Sequence, residues 1–212
     1  GAQCGGWGAT EQTMKIVVTG GAGFLGQRLI GALCQRGRLT DAAGRERAIE
    51  RIVAADQGRC GAPVADSRVS YATGDVADAS FIGSVLDGDT DSVFHLAAVV
   101  SGEAERDFDL GMRVNLDGTR WLLEACRRQP QAPKLVFASS VAVFGQPLPE
   151  VVTDSTMPVP QASYGVQKLA GELLVGDFSR KGFVDGRCVR LPTVVVRPGK
   201  PNAAASSFAS GI

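Results

Sequence analysis

The run Lys15-Ile16-Val17-Val18-Thr19-Gly20-Gly21-Ala22-Gly23-Phe24-Leu25-Gly26 decides the fold of this 212-residue chain. Its opening residues form a continuous apolar stretch of strand length, as expected of a strand buried on both faces of a parallel sheet. Glycines then open a turn, and Phe24, Leu25, Leu29, Ile30 and Leu33 set a helical stripe over residues 24–36. In that strand, turn and helix setting the glycines read as a pyrophosphate cradle. Gly21 and Gly23 allow a tight turn and close backbone approach, Gly26 lets the helix pack near the sheet, and the helix N-terminus offers N–H groups to phosphate.

The same alternation continues downstream. Strand-length apolar runs at residues 51–55, 68–72, 92–96, 134–138 and 187–191 are separated by longer polar stretches, the pattern of a parallel sheet with crossover helices. Residues 114–126 and 164–178 carry apolar faces at helical spacing, and Pro130 and Pro133 stop the first of these before the next strand. The expected fold class is α/β, a Rossmann-like doubly wound parallel sheet. Residues 37–47, charged and glycine-containing, read as a surface insertion after the first helix. Residues 147–160 read as a proline-rich loop too long for a plain turn, a kind of loop that often serves function.

Composition removes several classes of function. The 44% apolar share suits a globular chain, and 22 basic against 22 acidic residues leave no electrostatic footprint for nucleic acid or an anionic membrane. The five cysteines are scattered without a C-x-x-C pair, so neither a disulfide framework nor a zinc site is expected, and no metal is assigned. A reducing cytoplasm is the expected setting. No apolar run is long enough for a membrane-spanning helix. Residues 1–13 read as a tail or cloning remnant ahead of a native start at Met14, without the pattern of a signal peptide.

Individual residues then point to chemistry. Asp56 closes the second apolar run, where a carboxylate accepts hydrogen bonds from the adenosine ribose of NAD and repels the 2′-phosphate of NADP; nearby Arg59 keeps NADP in play. The insertion at 37–47 accounts for the long interval between Gly26 and Asp56. Asp75 and Val76 follow the third run and can meet an adenine edge, although a plain turn reads nearly as well. His95, the one histidine, lies among apolar strand residues and reads better as a packed, hydrogen-bonded group than as a base. Tyr164 and Lys168 stand four apart on a helix, so they share a face. The ammonium is expected to favour phenolate, letting Tyr164 take a proton while Lys168 also holds ribose hydroxyls. Ser139 and Ser140 end the fifth run, where open α/β sheets bind ligands. Asn115 reads as a member of a buried hydrogen-bond network or as a packing residue.

Taken in order, Thr19–Gly26, Asp56, Gly74-Asp75-Val76, His95–Ala98, residues 136–145 and Tyr164–Lys168 resemble the extended short-chain dehydrogenase/reductases, a family rich in sugar-nucleotide epimerases, dehydratases and dehydrogenases. The resemblance runs from about Lys15 to the end of the chain. It implies Ser140, Tyr164 and Lys168 as the catalytic set. It also implies NAD contacts from Gly20, Gly23, Phe24, Leu25, Gly26, Asp56, Asp75, Val76, Leu96, Ala97, Ala98, Asn115, Tyr164, Lys168 and Pro192. The chain departs from the family at Phe144, where a tyrosine is usual, and at Arg190-Leu191-Pro192-Thr193, which weakens an epimerase reading.

Within the family, Val99-Val100-Ser101-Gly102-Glu103 and the segment 190–212 resemble a subgroup that oxidises the C2 hydroxyl of a short sugar acid such as D-erythronate. That likeness implies substrate contacts from Ser101, Ser140, Tyr164, Arg197 and Ser207. A nucleotide-sugar epimerase or dehydratase that retains NAD, and a non-catalytic NAD-binding module, are the alternatives. The resemblance further implies an NAD-binding domain over residues 14–200 and only the start of a substrate lobe at 201–212, the rest of that lobe being absent. It also implies a homodimer through the helices holding Trp121 and Tyr164.

Overall fold

The computed structural model of the chain describes residues 13–192. Strand β1 (Met14–Thr19) is buried along its whole length because its side chains feed two cores. Ile16 and Val18 pack with Ile30 and Leu33 of α1 (Phe24–Arg36) on one face. Val17 packs on the other with Leu122 and Leu123 of α5 (Gly118–Arg127) and Val175 of α6 (Ser163–Arg180). An uninterrupted apolar run is what this double burial requires.

From β1 the chain passes through α1 to β3 (Glu46–Asp56) and on to β4 (Val69–Thr73), each parallel to its neighbour. Helix α2 (Ala79–Val85), capped by the Asp78 carboxylate on the Ser80 N–H at 2.8 Å, returns the chain to β5 (Thr90–His95) on the far side of β1. Strands β6 (Lys134–Ser140) and β7 (Asp185–Leu191) follow outward, again parallel. The winding thus reverses between β1 and β5, and a crevice opens at their carboxyl ends, where sheets of this kind bind ligands.

Several elements differ from the sequence reading, each for a local reason. The insertion at 37–47 is ordered. Gly37 closes α1 in the left-handed region at φ 69°, and β2 (Arg38–Thr40) pairs antiparallel with the start of β3 around an Asp41 turn that accepts N–H groups from Ala43 and Arg45, both at 2.9 Å. Strand β3 therefore begins well before residue 51, because its first half has a partner of its own. The helix expected at 114–126 is divided into a π-helical turn (Met112–Asp117) and α5. Helices α2, α3 (Ser101–Arg106) and α4 (Phe108–Gly111) are too short to leave a periodic signal. Among the described residues Cys34, Cys60, Cys126 and Cys188 are free, no acidic, histidine and cysteine side chains gather as a metal-binding group, and no helix is long and apolar enough to cross a membrane.

Candidate active site

A cleft of about 530 Å3 runs across the carboxyl ends of the strands, from Asp56 and the glycine turn to Tyr164 and Lys168. Its size lies within the range of small-molecule and cofactor sites. At one end Gly20 sits at φ 69°, and a Cβ there would fall 2.8 Å from the Ala97 nitrogen. A Cβ on Gly26 would fall 2.2 Å from the Gly20 carbonyl oxygen, so only glycine lets α1 start this close to the turn. The first helical bond of α1 runs from Gln27 N–H to the Gly23 carbonyl at 2.9 Å. The N–H groups of Phe24 and Leu25 precede it and are left for an anion.

Asp56 holds this end together. Its carboxylate accepts from the Ala22 N–H at 3.0 Å and from the Gly58 N–H at 3.1 Å, fastening the glycine turn to the end of β3 while lining the cleft. Asp75 and Val76 line the same end, with the Asp75 carboxylate taking the Ala77 N–H at 2.9 Å and pairing with Arg113. Burial alone pushes the Asp75 pKa up, but the Ala77 N–H and the Arg113 guanidinium outweigh it and leave the group below its ordinary value.

At the other end α6 presents Tyr164 and Lys168 toward the end of β6. Ser140 closes β6 with its Oγ accepting the Ala142 N–H at 3.1 Å, which leaves its hydroxyl hydrogen to donate, and its side chain stands near enough to Tyr164 to act on the acidity of the phenol. Lys168 is 2% exposed. Its ammonium donates to the Ala138 carbonyl at 2.9 Å, lies 4.8 Å from the centre of the Phe137 ring, and makes no ion pair among the described residues. Burial lowers its pKa from an ordinary 10.5 to about 8.

The geometry corrects one electrostatic expectation. Burial raises the Tyr164 pKa, and the contact that lowers it comes from Ser140 rather than from Lys168. The ammonium is turned onto Ala138 and stands 5.7 Å from the centre of the tyrosine ring. In this unliganded arrangement the phenol stays protonated at neutral pH.

The cleft brings together nearly every residue expected there. Gly20, Gly23, Phe24, Leu25, Gly26, Asp56, Asp75, Val76, Leu96, Ala97, Ala98, Ser101, Ser140, Tyr164, Lys168 and Pro192 all line it. Asn115 does not. Its position in the π-helical turn points the carboxamide inward, where it accepts the Val99 N–H at 2.8 Å and donates to the Val99 carbonyl at 3.1 Å, so it shapes the wall instead of lining it. Arg197 and Ser207 lie outside the described residues. His95 is buried and doubly hydrogen-bonded, as a packed histidine should be, with its pKa lowered to about 3 by burial and then by the charge of Lys168.

Sequence reasoning missed the support behind Ser140. Ser139 donates to Glu172, and Glu172 pairs with Arg190 at 2.7 Å, whose guanidinium lies 4.8 Å from the centre of the Phe144 ring. Glu172 stands four residues after Lys168 on α6, so the helical spacing that revealed the tyrosine and lysine carried this signal too. The proline-rich loop at 147–160 contributes no lining residue to the cleft.

The sequence pattern of the NAD dependent epimerase/dehydratase family matches residues 16–211. The D-erythronate dehydrogenase of Cupriavidus necator is 58% identical over 203 residues, covering 94% of this chain and 61% of that protein. The D-erythronate dehydrogenase of Haemophilus influenzae is 46% identical over 199 residues, with 94% of this chain and 61% of that protein covered. The solved structure of a nucleoside-diphosphate-sugar epimerase from Agrobacterium tumefaciens superposes with a TM-score of 0.84 at 42% identity, across 98% of this chain and 61% of that one. The chain thus spans less than two thirds of the length of each of these relatives.

Proposed function

The chain belongs to the NAD-dependent epimerase/dehydratase family, and from that premise we propose that it is an NAD-dependent dehydrogenase oxidising the C2 hydroxyl of a short sugar acid such as D-erythronate. One observation carries the reading: a glycine cradle with its acidic partner Asp56, and a Ser140, Tyr164 and Lys168 set, occupy opposite ends of one cleft. The names of the two relatives at 58% and 46% identity supply the substrate class.

NAD, the family's cofactor, fits the residues present. The Phe24 and Leu25 N–H groups at the start of α1 would hold a pyrophosphate, the Gly20 and Gly26 sites leave no room for a side chain, and Asp56 would suit the adenosine ribose. Bound there, NAD supplies the acceptor for a hydride. Ser140 donates its hydrogen to the reacting oxygen and orients it. Tyr164 removes the hydroxyl proton as the hydride leaves the same carbon, giving a 2-keto acid and NADH. Lys168 would hold the cofactor's ribose hydroxyls, and its positive charge would then work against the burial that keeps Tyr164 protonated. In the same reading residues 14–200 are the NAD-binding domain, residues 201–212 begin a substrate lobe, and two copies associate through α5 and α6, where Val166 and Leu173 are exposed.

The protein incubated with NAD and D-erythronate should produce NADH absorbance, and Tyr164→Phe should still bind NAD while turnover falls by roughly a hundredfold or more. Interconversion of a nucleotide sugar with no net NADH would replace this reading with that of an epimerase, which the 42% identity to the Agrobacterium tumefaciens protein keeps in view.

A further inference from the structure

Beneath the cleft, five polar side chains form one connected network, of which Thr19 alone reaches the cleft wall. Thr19, His95, Thr119, Asn115 and Gln167 are each 1% exposed. The Ala97 N–H donates to Thr19 Oγ1 at 3.3 Å, and Thr19 Oγ1 lies 2.7 Å from His95 Nδ1. On the other side of the ring His95 Nε2 lies 3.0 Å from Thr119 Oγ1, which donates to the main-chain carbonyl of Asn115 at 2.7 Å. The Asn115 carboxamide holds both backbone groups of Val99 and donates from Nδ2 to Gln167 Oε1 at 2.7 Å.

Counting hydrogens gives the network a direction. A carbonyl only accepts, so the single Thr119 hydroxyl hydrogen is spent on Asn115, and His95 Nε2 must be the donor to Thr119. A neutral imidazole then has an unprotonated Nδ1, which accepts the Thr19 hydroxyl hydrogen, and the Thr19 oxygen is left to accept Ala97. The same count orients the amides. Val99 N–H requires Asn115 Oδ1, so Nδ2 faces Gln167, which must offer Oε1. A second proton on the ring is disfavoured by complete burial and by the charge of Lys168; His95 and Lys168 both pack on the Phe137 ring, at 5.6 and 4.8 Å from its centre.

The two ends of this network belong to different halves of the cleft. Thr19 precedes Gly20, and Ala97 and Val99 line the wall, whereas Gln167 immediately precedes Lys168 on α6. We propose that His95 is a positioning residue: as the neutral Nε2–H tautomer it ties the ends of β1 and β5, through Thr119 and Asn115, to the helix that carries Tyr164 and Lys168. It acts on the reaction proposed above without touching substrate or cofactor. The two bonds serve different ends, with Nδ1 holding the dinucleotide side through Thr19 and Nε2 holding the catalytic side through Thr119.

Because the chain has one histidine, its two ring nitrogens are assigned without ambiguity by 15N NMR of the unliganded protein. A pyridine-like Nδ1 and a pyrrole-like Nε2, unchanged from neutral to mildly acidic pH, are expected; the opposite tautomer, or a ring that protonates in that interval, overturns the proposal. Two substitutions separate the bonds. His95→Asn keeps an acceptor near Nδ1 and should retain NAD affinity while kcat falls roughly fivefold to tenfold, the effect of one lost hydrogen bond. His95→Gln keeps a donor near Nε2 and should show the reverse, with NAD affinity measured by direct titration reduced by a similar factor and kcat kept. Equal losses of both quantities in both variants would reduce His95 to a structural residue and refute the positioning role. The NMR and titration results do not depend on which alcohol is oxidised, so they stand or fall apart from the substrate assignment.

Discussion

Replacing Lys168 with methionine should make the unliganded protein more stable and the enzyme inactive. The ammonium is 2% exposed, its one hydrogen-bond acceptor is the Ala138 carbonyl, and no carboxylate pairs with it among the described residues. A pKa lowered from 10.5 to about 8 means that burying the charge costs about 3 kcal/mol. The sign follows from proton counting. Below about 8 the folded and unfolded chains both carry the proton, and the cost is complete; between 8 and 10.5 only the unfolded chain is protonated, so stability rises with pH as the cost is relieved. Methionine keeps the length and volume of the side chain but leaves the Ala138 carbonyl without its donor, which returns about 1 kcal/mol.

The expected net gain of Lys168→Met at neutral pH is therefore about 2 kcal/mol, or about 4–8 °C in Tm for a domain of this size. Thermal and urea unfolding at neutral pH, and again as pH is raised from 8 through 10.5, test both parts. The wild-type chain should close the gap over that interval. A variant no more stable than wild type at neutral pH, or one whose advantage does not shrink as pH rises, would show that the ammonium is not held at a cost, and the argument that the site keeps it for its chemistry would fail.

Gly26→Ala should weaken NAD binding and lower stability by about 1–3 kcal/mol, because the added Cβ would sit 2.2 Å from the Gly20 carbonyl oxygen and force α1 off the turn; unaltered NAD titration and Tm would refute the close approach. Asp56→Asn should narrow the preference for NAD over NADP by about tenfold, since it removes the charge that opposes a 2′-phosphate, and it should also loosen the glycine turn, since the single amide oxygen can keep only one of the Ala22 and Gly58 N–H groups; paired titrations with the two dinucleotides decide it. Glu172→Leu should cost about 2 kcal/mol by leaving the partly buried Arg190 guanidinium without its partner and Ser139 without its acceptor, read as a fall in Tm that Glu172→Gln, which keeps an acceptor, partly restores.

What the sequence disclosed about this molecule follows from how far each signal travels along the chain. The glycine turn was legible because the demands at Gly20 and Gly26 are met within a few residues: a positive φ and a carbonyl at contact distance leave one choice of side chain. Tyr164 and Lys168 were legible because a helical spacing of four is itself the geometry. Asn115 lies in the buried hydrogen-bond network that its residue type suggested and not, as the resemblance implied, among the lining residues, because the π-helical turn around it directs its side chain away from the cleft, and nothing in the stretch Met112–Asp117 announces that extra residue per turn. The hairpin of β2 went unseen for the opposite reason: three residues are too few to show an alternation.

The acidity of Tyr164 shows the deeper limit. From the spacing alone the neighbouring ammonium should lower the phenol's pKa, yet the folded chain raises it, because burial depends on the whole wall of the cleft and the ammonium spends its nearest hydrogen bond on Ala138. The two side chains are therefore mismatched while the site is empty: a phenol too basic to ionise at neutral pH stands beside an amine held near its own titration point. A ligand that offers Lys168 further acceptors would raise the lysine pKa, and the firmer positive charge would in turn lower that of the tyrosine. On this reasoning the cofactor would complete the base: binding of NAD should bring proton uptake at Lys168 and proton release at Tyr164, and the release, read as the difference in proton count between wild type and Tyr164→Phe, should grow with pH. Calorimetry in buffers of different ionisation enthalpy measures that proton count, and a count equal in wild type and Tyr164→Phe would show that the phenol takes no part.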